Sequence, residues 1–461
     1  MTTRSPSRHF TSVIRSIVFP RVTSRAIAAC ALIALPSVAF AQTSAATVEA
    51  PKINLADTAW MMMATALVLM MTLPGLGLFY AGMVRKKNVL ATMAQGIAAT
   101  VIVSLLWMVA GYSLSFTGSG AFLGGASRMF LAGITMDSIN PLAKTIPESL
   151  FMLYQMTFAI ITVALVAGAV ADRMRFTAFA LFSVGWLLVD YLPLAHWVWG
   201  NGFLMQMNLL DFAGGTVVHI NAGVAGLVAA LIIGPRKGYG SDNLAPFDLS
   251  LAVIGTGLLW VGWFGFNGGS ALTAGSRGVF AIVVTHLSAC AGALAWSVME
   301  WWKRGKPSVL GMISGAVAGL GTITPASGFI LPWHGVVIGL IAGVTCFWAC
   351  TSLKLRLGYD DSLDVFGVHG VGGLLGTLLV GVFATAAVSA NAEAPGGFSG
   401  LLEGNTHQVL VQIIGIAVTV GWAALTTWVL LKLISLFVPL RVNLQNETEG
   451  LDITQHGEAL Q

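Results

Sequence analysis

Eleven long apolar stretches, spread along nearly the whole chain, constrain this sequence more than any other feature. They fall at about 58–83, 89–113, 149–171, 176–198, 212–234, 249–268, 278–302, 308–325, 328–351, 362–387 and 408–437. Each is close to or above the ~20 residues that an α-helix needs to cross a hydrocarbon layer of ~30 Å. That layer has no hydrogen-bond partners to offer, so a crossing chain must be helical or form a closed barrel. Barrel strands would alternate over segments of about ten residues, whereas these stretches are continuous. Charged residues make up 9% of the 461 positions, against roughly 25% in soluble domains, too few to coat a water-facing surface. The sequence predicts an all-α integral membrane protein with eleven transmembrane helices, the last of them long enough to tilt or protrude. Nothing in it points to nucleic acid.

The first 41 residues read as a secretory signal. Arg4, Arg8, Arg15, Arg21 and Arg25 precede a short apolar run from Ala26 to Leu35, and Ala39-Phe40-Ala41 fits a small-x-small cleavage rule. Residues 42–57 would then be a periplasmic segment, 58–437 the membrane domain and 438–461 a cytoplasmic tail. The basic residues agree. With the mature N-terminus outside, inner loops hold twelve Lys and Arg (Arg85 to Arg356) and outer segments hold four, Lys52, Arg128, Lys144 and Arg277, as positive-inside topology requires. Of the four cysteines, Cys30 falls in the signal. Cys290, Cys346 and Cys350 lie in apolar runs and are expected to pack as small hydrophobes, with no disulfide, metal site or cofactor.

An internal repeat organises the spans. Asp211 precedes His219 by eight residues in the fifth, and Asp361 precedes His369 by eight in the tenth. At the same offset of 150, Val218 matches Val368, Gly223 matches Gly373 and Gly226 matches Gly376. Five spans separate the copies, an odd number, so they run in opposite directions. An inverted repeat of five helices each, plus a last helix, is a transporter architecture with its site near the midplane.

Ionisable residues inside a span are costly and mark function. His219 and His369 should approach each other across the pseudo-twofold axis, eight residues or about 12 Å inside their helices at ~1.5 Å per residue. An imidazole pair can accept on one side and donate on the other. A lone histidine would more simply be packing, and a metal site lacks a third ligand. Asp211 and Asp361 read as helix caps; Asp211, on the outer side, could also lower the energy of an incoming cation. Trp263, Phe266 and Ser270 share one face of the sixth helix, as Gln155 and Phe158 do in the third. Trp199 sits at the outer interface, where a tryptophan is often only a belt residue. Asp190, in the fourth span, is expected at a helix or protomer interface near the outer surface.

Several of these residues lie in recognisable motifs. Asp211 to Asn221 (DFAGGTVVHIN), Gly262 to Ser270 (GWFGFNGGS), Asp364 to Gly370 (DVFGVHG) and Ala195 to Gly200 (AHWVWG) resemble motifs of the Amt branch of the Amt/Mep/Rh superfamily. Pro74 to Tyr80, Gly305 to Ser308 and the tail segments Glu449 to Asp452 and His456 to Glu458 agree, so the likeness covers roughly 55–461. Met156 and Thr157 depart from it, standing where smaller residues are expected. The resemblance implies a homotrimer with one pore per protomer, carrying ammonium or ammonia inward. It implies that Trp199, Phe158 and Ser270 form an outer recruitment site, Phe158 and Phe266 a stacked gate, and His219 and His369 a twin-His pair. It makes Asp211 the family's acidic residue, a deprotonating or structural acid, and Asp361 its inverted-repeat counterpart. It also implies a possible partner, a trimeric PII-type signal protein, at the cytoplasmic face. The alternatives are a gas channel of the Rh type, against which Trp199 and Ser270 speak, and an ammonium sensor, whose extra signalling domain a tail of about 24 residues is too short to supply.

Overall fold

The apolar stretches fold as helices, one of them running through Pro74 by way of a π-turn, Met71–Leu76. The computed structural model describes residues 51–390 and 394–460; the expected signal segment lies outside these. Among the described residues, ten helices are long and apolar enough to cross a membrane. They are α1 (Leu55–Met83), α2 (Lys86–Phe116), α3 (Glu148–Val170), α4 (Phe176–Gln206), α5 (Gly215–Ile233), α6 (Leu249–Gly269), α7 (Ser276–Arg304), α9 (Pro332–Leu357), α10 (Phe366–Phe383) and α11 (Thr406–Ser435). The eleventh expected span, α8 (Val309–Ile323), is helical over 15 residues, or about 22 Å at ~1.5 Å per residue. It continues as the non-helical segment 324–330, which is buried. Irregular backbone at membrane depth is tolerated only inside protein. Among the described residues there is no strand, only a single bridge between Met174 and Arg441.

Caps set several of the starts. Asn54 accepts from the amides of Ala56 and Asp57 ahead of α1, Asp248 from Ser250 and Leu251 ahead of α6, and Ser308 from Gly311 ahead of α8. Each carboxylate or side-chain oxygen satisfies amides that a helix start leaves open. At the opposite end of the helices from the tail, Glu148 accepts from both Arg128 (3.0 and 3.2 Å) and the Tyr112 hydroxyl (2.9 Å), fastening the long α2–α3 connection to the start of α3.

The two halves meet backbone to backbone. A Cβ on Gly223 would stand 2.2 Å from the Gly370 amide nitrogen, and one on Gly373 would stand 2.9 Å from the Ile220 nitrogen and from His219 Cβ. Glycine is required at both places, and the two contacts exchange roles under the 150-residue offset. The inverted repeat is thus a packing symmetry, and small residues let the helices approach this closely.

The face that carries the α1–α2 connection and the tail is tied by ions. Arg236 makes a two-pronged pair with Asp360 (2.9 and 2.8 Å), and Arg85 pairs with Asp172 at 3.0 Å. Asp360 is held below the usual carboxylate range: burial pushes it up, but the Arg236 guanidinium outweighs burial. Arg173 is fully buried and donates to the Gly234 and Asp360 carbonyls; burial pulls it down to about 10. The tail closes over the same face. Leu451 donates its amide to Asn88 Oδ1 and Asp452 accepts from the Ala91 amide, both at 2.8 Å. Glu447 takes a two-pronged contact from Arg441 and accepts from the Lys237 amide at 2.6 Å.

Asp190 takes the helix interface expected of it, though from the middle of α4 and not near the end of the span. It is fully buried on a π-turn of α4 (Leu187–Tyr191), where Thr426 of α11 donates to its carboxylate and Trp422 donates to its carbonyl at 3.3 Å. It fastens α4 to α11.

Candidate functional site: an aromatic gate and a histidine pair

The repeat's two histidines sit near helix starts, not mid-helix as their spacing from the aspartates suggested. α5 begins at Gly215 and α10 at Phe366, so His219 is its helix's fifth residue and His369 its helix's fourth. The residues between aspartate and helix are non-helical, with Gly214 at φ 116° and Asp364 at φ 58°. Both helices open with π-turns, Gly215–Ile220 and Phe366–Gly370, and each π-turn carries the histidine. Widened turns of this kind concentrate at functional sites.

Asp211 closes the start of α5 across this irregular stretch. Its Oδ1 accepts from the amides of Gly214 (2.8 Å) and Gly215 (2.6 Å), and its Oδ2 from the Thr216 amide (2.8 Å) and hydroxyl. Its backbone carbonyl accepts from the Trp199 indole N–H at 2.9 Å. One residue therefore fixes both the His219 segment and the outer tryptophan. Asp361 does less for α10: its Oδ2 accepts from the Phe366 amide at 2.7 Å, while its Oδ1 has no hydrogen-bond partner.

The imidazoles face each other with 3.2 Å between His219 Nδ1 and His369 Nδ1, rings nearly parallel at 14°. A hydrogen bond between two like nitrogens needs one to donate and the other to accept. One ring therefore carries its proton on Nδ1 and presents a bare Nε2; the other has a bare Nδ1 and presents Nε2–H. His219 Nε2 is buried without a partner. Trp263 stacks on His219 with centroids 5.6 Å apart and anchors its own N–H on Thr324 at 2.9 Å.

Above the pair lies an aromatic stack. Phe158 of α3 and Phe266 of α6 are parallel with centroids 4.1 Å apart, and both are buried. The Trp199 ring meets Phe158 edge-on at 5.7 Å. Ser270, the C-cap of α6, donates its hydroxyl back to the Phe266 carbonyl at 2.8 Å, so its lone pairs remain for another donor. Tyr154, a turn before Phe158, reaches the same carbonyl at 2.9 Å and stands 3.4 Å from the Ser270 hydroxyl. Tyr154 was missed in the sequence. Its i, i+4 relation to Phe158 was the available sign, but its reach to α6 is a contact between helices.

Below the stack, a narrow apolar cavity is lined by Phe266, Trp263, both histidines, Val218 and Val317. A wider cavity shares His369, Val317 and Phe79 with it and continues past Arg236, Lys354 and Asp364. Lys354 donates to Asp364 at 2.8 Å and to the Asp361 carbonyl. The arrangement is a series: polar and aromatic groups, a closed aromatic stack, a dry chamber bordered by imidazoles, and a charged vestibule. Cys290, Cys346 and Cys350 are free thiols, and among the described residues no cluster of three metal-ligating side chains occurs.

Residues 59–460 match the family model described as the Ammonium Transporter Family. The chain is 46% identical over 405 residues to the ammonium transporter of Bacillus subtilis, covering 88% of this chain and 98% of that one. It is similar to the crystal structure of Saccharomyces cerevisiae Mep2, with a TM-score of 0.77 at 36% identity, covering 84% of this chain and 90% of that one. A solved Sensor Amt Protein is similar too, with a TM-score of 0.78 at 28% identity over 87% of this chain and 98% of that one. A multi-pass membrane protein with this helix order and these relatives belongs to the ammonium transporter family.

Proposed function

We propose that the protein captures ammonium outside the cell, removes its proton, and passes ammonia inward through the chamber beside His219 and His369, with or without a relayed proton. The observation that carries this reading is the Nδ1–Nδ1 histidine pair directly behind the stacked Phe158 and Phe266 rings. A cation entering a dry pore forfeits its hydration. Aromatic faces offset part of that loss, ~0.5–2 kcal/mol per contact, and Trp199 and Phe158 stand where they can do so. Ser270 adds an oxygen acceptor, which favours an ion bearing N–H groups over potassium. The aromatic stack and the apolar chamber behind it then favour the neutral molecule. The bare imidazole nitrogen is an acceptor inside the chamber, and the opposite Nε2–H a donor.

Asp211 acts here as a positioning acid, because its carboxylate is engaged by backbone amides and its carbonyl by Trp199. Asp361 is its weaker counterpart at the inner end. The chain works as a transporter and not an enzyme, in the inner membrane of the cell and as a homotrimer. Its signal is cleaved, its mature N-terminus periplasmic and its C-terminus cytoplasmic. A PII-type protein is the expected partner for the inner face, where the tail lies against the α1–α2 connection. Proteoliposomes containing the purified protein test the reading: an ammonium gradient should drive a current that potassium does not, and no ammonium-dependent flux would overturn it. A second reading, ammonium sensing, is favoured by the likeness to the Sensor Amt Protein. It predicts ammonium binding without flux in the same vesicles.

A further inference from the structure

Glycines in the membrane helices fall into two groups. Most of those in α8 and its neighbours are dictated by packing. A Cβ on Gly315 would meet Trp296 Cβ at 2.6 Å, and one on Gly319 would meet the Ser288 carbonyl oxygen at 2.3 Å. Gly321, two residues beyond, differs. It is buried in α8, yet a Cβ there would meet nothing closer than 3.8 Å. Among the buried glycines of the described helices it alone has its nearest contact beyond 3.4 Å. The atoms it would meet are His219 Cε1 and His369 Nδ1 at 3.8 Å and His219 Nδ1 at 3.9 Å. A methyl would fit, and it would lie against both imidazoles at once.

Physical chemistry gives a bare glycine here no structural reason. Its φ is not in the left-handed region, and a glycine inside a helix costs roughly 0.5–1 kcal/mol relative to alanine. Alanine would restore that stability and fill the space without a clash. Val317, one turn earlier on the same helix, lines the dry chamber that both histidines line. The free volume in front of Gly321 therefore adjoins the path of the transported molecule.

We infer that Gly321 sets the calibre of the conduit at the histidine pair, and that it decides whether a small N-alkyl amine such as methylamine can follow ammonia past the imidazoles. This deepens the transport reading above and rests on it. The selectivity is steric and separate from the cation selection at Trp199, Phe158 and Ser270, which acts before the stacked phenylalanines. The added methyl of Gly321→Ala takes the place that the amine's own methyl would need, while ammonia keeps its contact with the imidazole nitrogens.

The test measures ammonium and methylammonium uptake into proteoliposomes of the full-length protein and of Gly321→Ala and Gly321→Val, under equal gradients. One methyl group in a fitted apolar space discriminates by roughly 10–200-fold. Gly321→Ala should lower methylammonium uptake about tenfold or more relative to ammonium, and Gly321→Val should slow both. Thermal unfolding of Gly321→Ala should be at least as high as that of the parent, which separates calibre from folding. An unchanged ratio of the two uptakes in Gly321→Ala overturns the inference, as does an equal fall in both. A parent protein that carries neither ion overturns the transport reading itself, and the inference with it.

Discussion

Asp211 and Asp361 occupy the same place in the two inverted halves, yet they meet different surroundings. Asp211 accepts from four backbone amides and a hydroxyl, and it holds Trp199 through its carbonyl. Asp361 accepts from the Phe366 amide, leaves one oxygen without a partner, and lies beside Lys354, which donates to its carbonyl. The halves share a scaffold but not a task. In one half the cap is tied to Trp199 and, through it, to the aromatic stack that we propose meets the substrate. In the other half it is part of a charged vestibule. An inverted repeat fixes where a site falls, and the residues around each copy decide which end receives the substrate.

The histidines test what the halves share, and there the largest effect is expected. Replacing both His219 and His369 by apolar residues removes the only imidazole donor–acceptor pair in the chamber, and positioned proton acceptors contribute about 10²–10⁴-fold. Ammonium-driven current in proteoliposomes should fall to the level of empty vesicles while the protein still elutes as the parent does. Normal current would break the relay idea. Replacing one histidine by aspartate should instead draw water into the chamber and raise potassium leak.

The aspartates test what the halves do not share. Asp211→Ala leaves several buried amides without an acceptor, and bonds to a charged group are worth ~1.5–3 kcal/mol each. The variant should lose about 3–4 kcal/mol in reversible unfolding, given partial relaxation of the loop, and it should bind ammonium more weakly because the loop whose residue-211 carbonyl holds Trp199 loses its tether. Asp361→Ala should cost only about 1 kcal/mol, the usual value of one cap. Equal losses at the two sites would erase the distinction drawn here.

The Asp361 cap also carries a pH dependence. Burial pushes Asp361 up to about 6 from the ordinary 3.8. A carboxyl raised in the folded state contributes stability that is present below its ordinary value and lost as pH rises through the folded one. Thermal stability should therefore fall between about pH 4 and pH 7, and Asp361→Asn should flatten that slope. Asp360, held low by Arg236, contributes in the opposite sense and only below about pH 4, outside this window. A slope that survives in Asp361→Asn would assign it to another group.

Ser270→Ala should have the smallest effect. Its hydroxyl offers one acceptor at the outer site, and a lost hydrogen bond of ~1 kcal/mol corresponds to about fivefold. Half-saturating ammonium should rise by about that factor, with maximal flux nearly unchanged. A fall in maximal flux alone would place Ser270 deeper in the pathway.

What could be read from the sequence was whatever sits on one helix. The repeat was visible because aspartate and histidine recur at a fixed spacing, and the shared face of Phe266 and Ser270 follows from helical periodicity. The spacing misled about the start of α5: Asp211 caps it from four residues upstream, across an irregular stretch that hydropathy cannot separate from helix. Contacts between distant segments were not legible. Thr426 lies 236 positions from Asp190, and Tyr154 lies 112 from the carbonyl it reaches on α6. The free space beside Gly321 was also hidden, because a glycine required by packing and one that leaves a gap are the same letter.

The Nδ1–Nδ1 contact gives the histidine pair a polarity. One ring points a lone pair at the chamber while the other points a hydrogen, and the two assignments are mirror states that differ in which ring holds the Nδ1 proton and which holds the Nε2 proton. A proton that enters at the bare Nε2 and leaves from the opposite Nε2–H reverses that polarity as it passes. The pair then faces backwards, and another proton in the same direction must wait until both rings return to their first tautomers. Ammonia crossing without its proton meets no such delay. On the proposed transport reading, the pair would act as a turnstile that counts protons singly while leaving the neutral gas unmetered.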